Sequence, residues 1–177
     1  MSARTVLVLG GVRAGKSAYA VVRAEALGGR VAVVATAEAG DPEMAARIAR
    51  HRAARPREWR TVEAPIALAE ALAGLEGQAD TVVLDCLTLW VSNLLARTPE
   101  LPDHRLLAEA GRLTDLIGRQ PFDLVVVSNE VGWGVHPETA LGRRFRDALG
   151  LVNQAVARAA HEVVLLVAGC PSWLKGP

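Results

Sequence analysis

Gly10-Gly11-Val12-Arg13-Ala14-Gly15-Lys16-Ser17 follows directly on the apolar run Thr5-Val6-Leu7-Val8-Leu9. A glycine, four residues, then Gly-Lys-Ser is the spacing of a loop that wraps phosphate in its own backbone. Glycines let several N–H groups crowd around phosphate oxygens, and the helix that follows aims its positive end at the same charge. Lys16 reaches toward the β- and γ-phosphates in such a loop, and the Ser17 hydroxyl is a ligand for Mg²⁺. A glycine-rich turn without a ligand is the plainer alternative, and the strand before and helix after the loop argue against it. The chain is expected to bind a nucleotide.

Two further groups carry chemistry. Thr81-Val82-Val83-Leu84-Asp85 is an apolar strand ending in a carboxylate. Beside a phosphate loop such a carboxylate holds Mg²⁺ directly or through water, so Ser17 and Asp85 are the candidate metal pair. A solvated Asp at a strand end is the alternative. The other group is Asp41-Pro42-Glu43-Met44-Ala45-Ala46-Arg47-Ile48-Ala49-Arg50-His51-Arg52. Asp41 can cap a helix, Pro42 suits its first turn, and Glu43 complements its positive end. Met44, Ile48 and His51 lie at i, i+4 and i+7, which turns His51 toward the body of the protein on a helix that also carries Arg47, Arg50, Arg52 and Arg55. Arginines around one imidazole suit a polyphosphate, and a neutral imidazole is a nucleophile toward phosphorus. A histidine on a basic, solvated helix face remains the alternative from spacing alone.

These groups need a frame. Five β-branched runs, at residues 5–9, 31–35, 81–84, 124–127 and 163–167, show no apolar–polar alternation and read as strands buried on both faces. Leu106, Ala110, Leu113 and Ile117 fall on one helix face, as do Phe145, Leu149, Val152 and Val156, and residues 65–75 are helical by composition. Strands alternating with helices behind a phosphate loop predict an α/β protein, a three-layer, P-loop nucleotide hydrolase-like (RecA-like) fold with a mostly parallel central sheet. Ligands of such sheets sit beyond the carboxyl ends of the strands. The strand exits therefore become the site: the phosphate loop, Thr36, Asp85, Ser128-Asn129-Glu130 and Gly169-Cys170.

The 177 residues are read as a single nucleotide-binding transferase domain over 1–177, with 51% hydrophobic and 22% charged residues. A net charge of +1 and 4% aromatics leave no footprint for nucleic acid or an anionic membrane. The apolar runs are strand length, which speaks against membrane insertion. Cys86 and Cys170 lack metal or disulfide spacing and suit a reducing cytoplasm. No Asn-Lys-x-Asp guanine-reading stretch is present, which argues against a G-protein switch.

Taken together, several segments resemble the bifunctional adenosylcobinamide kinase / adenosylcobinamide-phosphate guanylyltransferase family of cobalamin biosynthesis. They are residues 10–17; Ala35-Thr36-Ala37; residues 41–51; Arg55-Pro56; Trp59-Arg60-Thr61-Val62-Glu63; Asp85-Cys86-Leu87-Thr88; Val91-Ser92-Asn93-Leu94-Leu95; Ser128-Asn129-Glu130-Val131-Gly132-Trp133-Gly134; Phe145-Arg146-Asp147; and Val152-Asn153-Gln154. The resemblance implies two reactions. ATP or GTP phosphorylates the hydroxyl of adenosylcobinamide, and GTP then guanylylates a histidine whose GMP passes to adenosylcobinamide phosphate, giving adenosylcobinamide-GDP. It assigns His51 as the guanylylated residue and Lys16 as its partner in catalysis. Ala35, Thr36, Ala37, Arg52, Ala53, Ala54, Arg55, Glu63 and Asp85 join the loop as nucleotide-binding residues. It further implies Mg²⁺, a corrinoid substrate and a homo-oligomer, typically a trimer. Relatives that carry Glu where this chain has Asp85 reach one methylene further, so a metal contact from Asp85 becomes water-mediated more easily. His136 has no role in the family pattern, and His104 and His161 read as surface and helix-end residues. A P-loop kinase of another small molecule, with His51 only a phosphate contact, is the competing reading.

Overall fold

The computed structural model describes residues 3–119 and 121–176. Its chain order is β1 (Thr5–Gly10), α1 (Lys16–Leu27), β2 (Val31–Ala35), α2 (Pro42–Ala53), β3 (Arg60–Glu63), α3 (Leu68–Ala73), β4 (Thr81–Asp85), α4 (Leu87–Arg97), α5 (Asp103–Arg119), β5 (Asp123–Val127), α6 (Ala140–Ala159), β6 (Glu162–Val167) and β7 (Cys170–Lys175). The strands form one sheet in the order β3-β2-β4-β5-β1-β6-β7. All neighbours are parallel except β6 and β7, which form an antiparallel pair. The mostly parallel α/β sheet matches the expectation from sequence.

The double burial of the strands follows from their side-chain alternation. Leu7 and Leu9 of β1 enter a large core with Trp90, Leu95, Leu113 and Val152, built by α3, α4, α5 and α6. Val6 and Val8 of the same strand enter a smaller core, where Ala20 and Ala24 of α1 meet Val33, Val83 and Val125. The expected apolar faces of α5 and α6 are buried at Leu106, Ala110, Leu113, Ile117, Leu149, Val152 and Val156.

Two strands are additional to the five expected. Arg60–Glu63 and Cys170–Lys175 lie at the two edges of the sheet, where one side needs no strand partner and the side chains stay partly or wholly exposed. Pro171 is tolerated in β7 because an edge strand has backbone N–H groups with no ladder to complete. The expected helix at 65–75 contracts to Leu68–Ala73. The carbonyl of Ile66 is instead taken by the Trp90 indole N–H at 2.9 Å, which fixes the connection ahead of the helix.

Register sets the level of the site. Asp85 lies opposite Ala35 of β2 and Val127 of β5, and Ala35 lies opposite Glu63 of β3. Glu63, Ala35 and Asp85 thus end three adjacent strands in one row, while the loop after β1 begins two strands away from Asp85.

Candidate functional site

The loop from β1 to α1 is held by its own backbone. The Gly10 carbonyl accepts from the Glu130 N–H at 3.1 Å, and the Ala14 carbonyl accepts from the Gly169 N–H at 3.0 Å. These bonds tie it to the exits of the strands on either side, β5 and β6. Gly10 has φ 152°, and a Cβ there would stand 2.6 Å from the Leu166 carbonyl oxygen, so close packing requires glycine. Gly15 has φ 94° and forms the left-handed N-cap of α1. Its N-terminal helix end, with no acidic residue in the first turn, leaves the positive dipole end uncompensated.

Lys16 is 8% exposed and donates from Nζ to the Gly11 carbonyl at 2.6 Å. Burial draws its ammonium below the ordinary lysine value, with Arg47 adding to the effect and Asp85 opposing it. A cation held in this way gains most from an anion arriving beside it.

A cavity of about 710 Å³ opens over this loop. Its lining includes residues 12–17 of the loop, Ala35 and Ala37 after β2, and Glu63, Asp85 and Asn129 from the other strand exits. α2 supplies Arg47, Arg50, His51 and Arg52 to the same wall, and Arg55 follows just beyond. The helix forms as its sequence demands: the Asp41 carboxylate accepts the Met44 N–H at 2.8 Å, with Pro42 in the first turn. Met44, Ile48 and His51 are its half-buried positions, and all three line the cavity.

Asp85 joins the two halves. Its Oδ2 accepts from Arg55 Nη2 at 2.6 Å and lies 3.3 Å from His51 Nδ1. The Asp85 side chain is 13% exposed, that of Arg55 11% and that of His51 34%. Burial pushes the Asp85 carboxyl up, but the His51 hydrogen bond and the Arg55 charge outweigh it and hold the group below the usual carboxylate range. The peptide bond from Asp85 to Cys86 is cis. Cys86 lines the cavity as well, with its thiol pushed up by burial and by the neighbouring Asp85 charge.

Not every expected residue reaches the cavity. Thr36 is fully buried beneath it, its hydroxyl donating to the Cys86 carbonyl at 2.7 Å and accepting the Cys86 N–H at 2.8 Å. It fastens the end of β2 to the end of β4 and has no hydroxyl to spare. Gly10, buried, and Gly11, exposed, do not line the cavity, and neither do Ala53 and Ala54, exposed at the end of α2. Arg47 and Arg50, expected beside His51, and Asn129 also line the wall. Asn129 was discoverable as a strand exit. Its backbone is pinned by the Thr88 hydroxyl, which accepts its N–H at 2.8 Å, and by Asn153, which donates to its carbonyl at 3.0 Å. His136 stands outside the cavity, 3.0 Å from Arg146 Nη2. His161 Nδ1 accepts the Thr5 N–H at 3.0 Å, and His104 is exposed at the start of α5.

Residues 6–174 match the family described as cobinamide kinase / cobinamide phosphate guanyltransferase. The chain is 45% identical over 170 residues to the bifunctional adenosylcobalamin biosynthesis protein CobP of Pseudomonas aeruginosa, covering 96% of each. It is 42% identical over 183 residues to the bifunctional adenosylcobalamin biosynthesis protein CobU of Escherichia coli, covering 96% of this chain and 99% of that one. Among solved structures, the RadB recombinase superposes with a TM-score of 0.53 at 16% identity, covering 93% of this chain and 74% of RadB. An ATPase from a bacterial type III secretion system gives 0.55 at 11% identity, covering 94% of this chain and 51% of the ATPase. At such identities the two structures speak for the fold alone, that of RecA-like P-loop ATPases.

Proposed function

The chain belongs to the cobinamide kinase / cobinamide phosphate guanyltransferase family, and we propose that it carries out both reactions within the one cavity described above. In the first, the hydroxyl of adenosylcobinamide takes the γ-phosphoryl group of ATP or GTP held on residues 10–17. In the second, His51 attacks the α-phosphorus of GTP, pyrophosphate leaves, and the GMP is passed to the phosphate oxygen of adenosylcobinamide phosphate. The whole chain acts as one nucleotide-binding transferase domain.

The observation that carries this reading is that His51, on a helix of its own, lines the same cavity as Lys16 and the phosphate loop. An imidazole there is placed to act as a nucleophile toward a bound triphosphate, a step that phosphoryl transfer alone does not need. Lys16 is assigned to the β- and γ-phosphates in both reactions. Arg47, Arg50, Arg52 and Arg55 furnish positive charge where negative charge builds on the phosphoryl oxygens. Glu63, at the outer end of the row with Ala35 and Asp85, is assigned to the guanosine nucleotide, since a carboxylate accepts from N–H edges or hydroxyls.

The donor set fits a Mg²⁺ that arrives with the nucleotide. Among the described residues no group of three His, Cys, Asp or Glu side chains could hold a metal ion by itself. Ser17 lines the cavity and offers its hydroxyl, whereas Asp85 Oδ2 is engaged by Arg55 and His51, which favours an outer role through water. When bound, the cation neutralises phosphate charge.

The reading extends to a homo-oligomer, a trimer by resemblance, and to the cytoplasm. Val167, Trp173 and Leu174 are large exposed apolar side chains on the β6–β7 edge and support an edge that another copy covers. Two free cysteines suit a reducing compartment. No described helix is long and apolar enough to cross a membrane.

Intact mass measured after incubation with GTP and Mg²⁺, without corrinoid, tests the proposal. The expected result is an acid-labile GMP adduct that is absent from His51→Ala, while His51→Ala still phosphorylates adenosylcobinamide near the wild-type rate. GTP binding without any adduct would reduce the chain to a small-molecule kinase.

A further inference from the structure

We propose that Asp85 is the positioning residue for His51: it holds the proton on Nδ1, so that Nε2 is the atom that takes GMP. The inference rests on the covalent reading above and adds to it which ring nitrogen reacts and what aims it.

The geometry leaves little freedom. Asp85 Oδ2 is 3.3 Å from His51 Nδ1 and 2.6 Å from Arg55 Nη2. An ionised carboxylate only accepts hydrogen bonds, and a guanidinium only donates them. Beside Arg55 the carboxylate stays ionised, so Nδ1 must be the donor and carry the ring proton. In the neutral ring the lone pair then falls on Nε2. Among the described residues no hydrogen bond reaches Nε2, and the ring, about one third exposed, borders the cavity.

The two partners differ in how firmly they are held, and this gives Asp85 its role. Asp85 ends a central strand, paired with β2 on one side and β5 on the other, and its carbonyl accepts the Thr36 N–H at 3.1 Å. His51 stands on α2, a helix with no fully buried residue. A fixed acceptor on the sheet is therefore what orients an imidazole that its own helix leaves loosely packed. Arg55, four residues beyond His51, grips the same oxygen and keeps the end of this segment against the sheet.

The chemistry balances without a further reagent. The Nε2 lone pair forms a bond to the α-phosphorus of GTP as the bond from that phosphorus to the bridging oxygen breaks, and pyrophosphate departs with the electron pair. With Nδ1–H retained, the guanylylated ring is a cation, and the carboxylate 3.3 Å away stabilises it. In the return step the phosphate oxygen of the acceptor attacks the same phosphorus, and Nε2 leaves as a neutral imidazole nitrogen. Asp85 changes protonation in neither step. This differs from a metal-ligand role for Asp85, in which the carboxylate would act on the triphosphate and not on the ring.

The adduct itself decides. Wild-type protein is guanylylated with GTP and Mg²⁺, denatured at alkaline pH, and examined by proton–phosphorus correlation NMR. Phosphorus on Nε2 couples to both ring protons across three bonds, whereas phosphorus on Nδ1 has only one such proton. Coupling to both is expected. An adduct on Nδ1 would overturn this inference and leave the covalent reading standing, and the absence of any adduct would remove both. In the second arm, Asp85→Ala and Asp85→Asn are compared in single-turnover guanylylation. Loss of an orienting partner behind a functional histidine is expected to cost about 10- to 100-fold, the range seen for carboxylates behind metal-bound histidines. The expected pattern is that loss in the guanylylation rate for Asp85→Ala and a smaller one for Asp85→Asn, whose amide oxygen still accepts from Nδ1–H, each exceeding any change in GTP affinity or kinase rate. Restoration of the Asp85→Ala rate by excess Mg²⁺, or an equal loss of GTP affinity and kinase rate, would identify a metal or nucleotide ligand and refute the positioning role. Should both variants fail to fold, the NMR result on the wild-type protein remains decisive.

Discussion

Residues 10–17 continue from β1, whose six residues are all buried, whereas α2 has no fully buried residue along its twelve. The two regions line one cavity by opposite means. The loop is fixed by close backbone packing, down to a glycine at position 10 that admits no side chain. The helix is fixed at its ends, by the Asp41 cap at the start and by the bonds from His51 and Arg55 to Asp85 at the finish. The difference separates two demands. Phosphate must be gripped the same way in every turnover, so its cradle belongs to the core. On the proposed function, a nucleophile that is loaded and then unloaded must accommodate both states of its own side chain, and a tethered surface helix does so without disturbing the sheet.

Three expected outcomes would sharpen or break this contrast. The largest concerns Lys16→Ala, which removes the cation proposed to serve both reactions. Phosphorylation and guanylylation should each fall on the order of 10²–10³-fold in kcat/KM. A variant that lost only one of the two would show that the reactions do not share the loop. Next in size is a pair of core tests read as unfolding free energy in urea. Leu7 is fully buried, and Leu7→Ala should cost about 3 kcal/mol. Ile48→Ala, on the half-buried face of α2, should cost under about 1 kcal/mol while slowing guanylylation more than phosphorylation. Equal destabilisation would mean that α2 is part of the core after all.

The smallest effect is on pH. Because the Asp85 carboxyl is held below its ordinary value of 3.8, its link to His51 and Arg55 contributes stability above that value and loses it as pH falls through the lowered one. On acidification below about 4, amide exchange should rise in α2 before it rises in β1 and α1. Simultaneous loss of protection in both regions would contradict the separate anchoring.

The same contrast explains what could be read from the sequence. The phosphate loop was legible because its conformation is dictated locally, by glycines between a buried strand and a helix. The central strands were legible because burial on both faces leaves continuous β-branched runs. The edge strands were not: Arg60-Thr61-Val62-Glu63 and Cys170-Pro171-Ser172-Trp173-Leu174-Lys175 need no such run, since much of their surface meets solvent. The face of α2 was legible from its period, yet the partner of His51 was not. Asp85 lies 34 residues away, and only the pairing of β2 with β4, which sets the exit of β2 and the helix after it beside Asp85, brings its carboxylate to the histidine and Arg55. Read along the chain, the same carboxylate pairs most naturally with Ser17 around a cation. Thr36 shows the converse, a residue at a strand exit whose hydroxyl is wholly occupied by backbone.

That α2 buries no residue fully has a consequence for how this protein can change. Substitutions along Pro42–Ala53 disturb folding less than substitutions in the core, so the segment can be rewritten in small steps while the rest of the chain keeps its shape. On the proposed function, removing the His51 imidazole would leave a folded phosphotransferase, and restoring it would return the second activity. On that reading, the second activity is easier to lose and to regain than the fold that carries both.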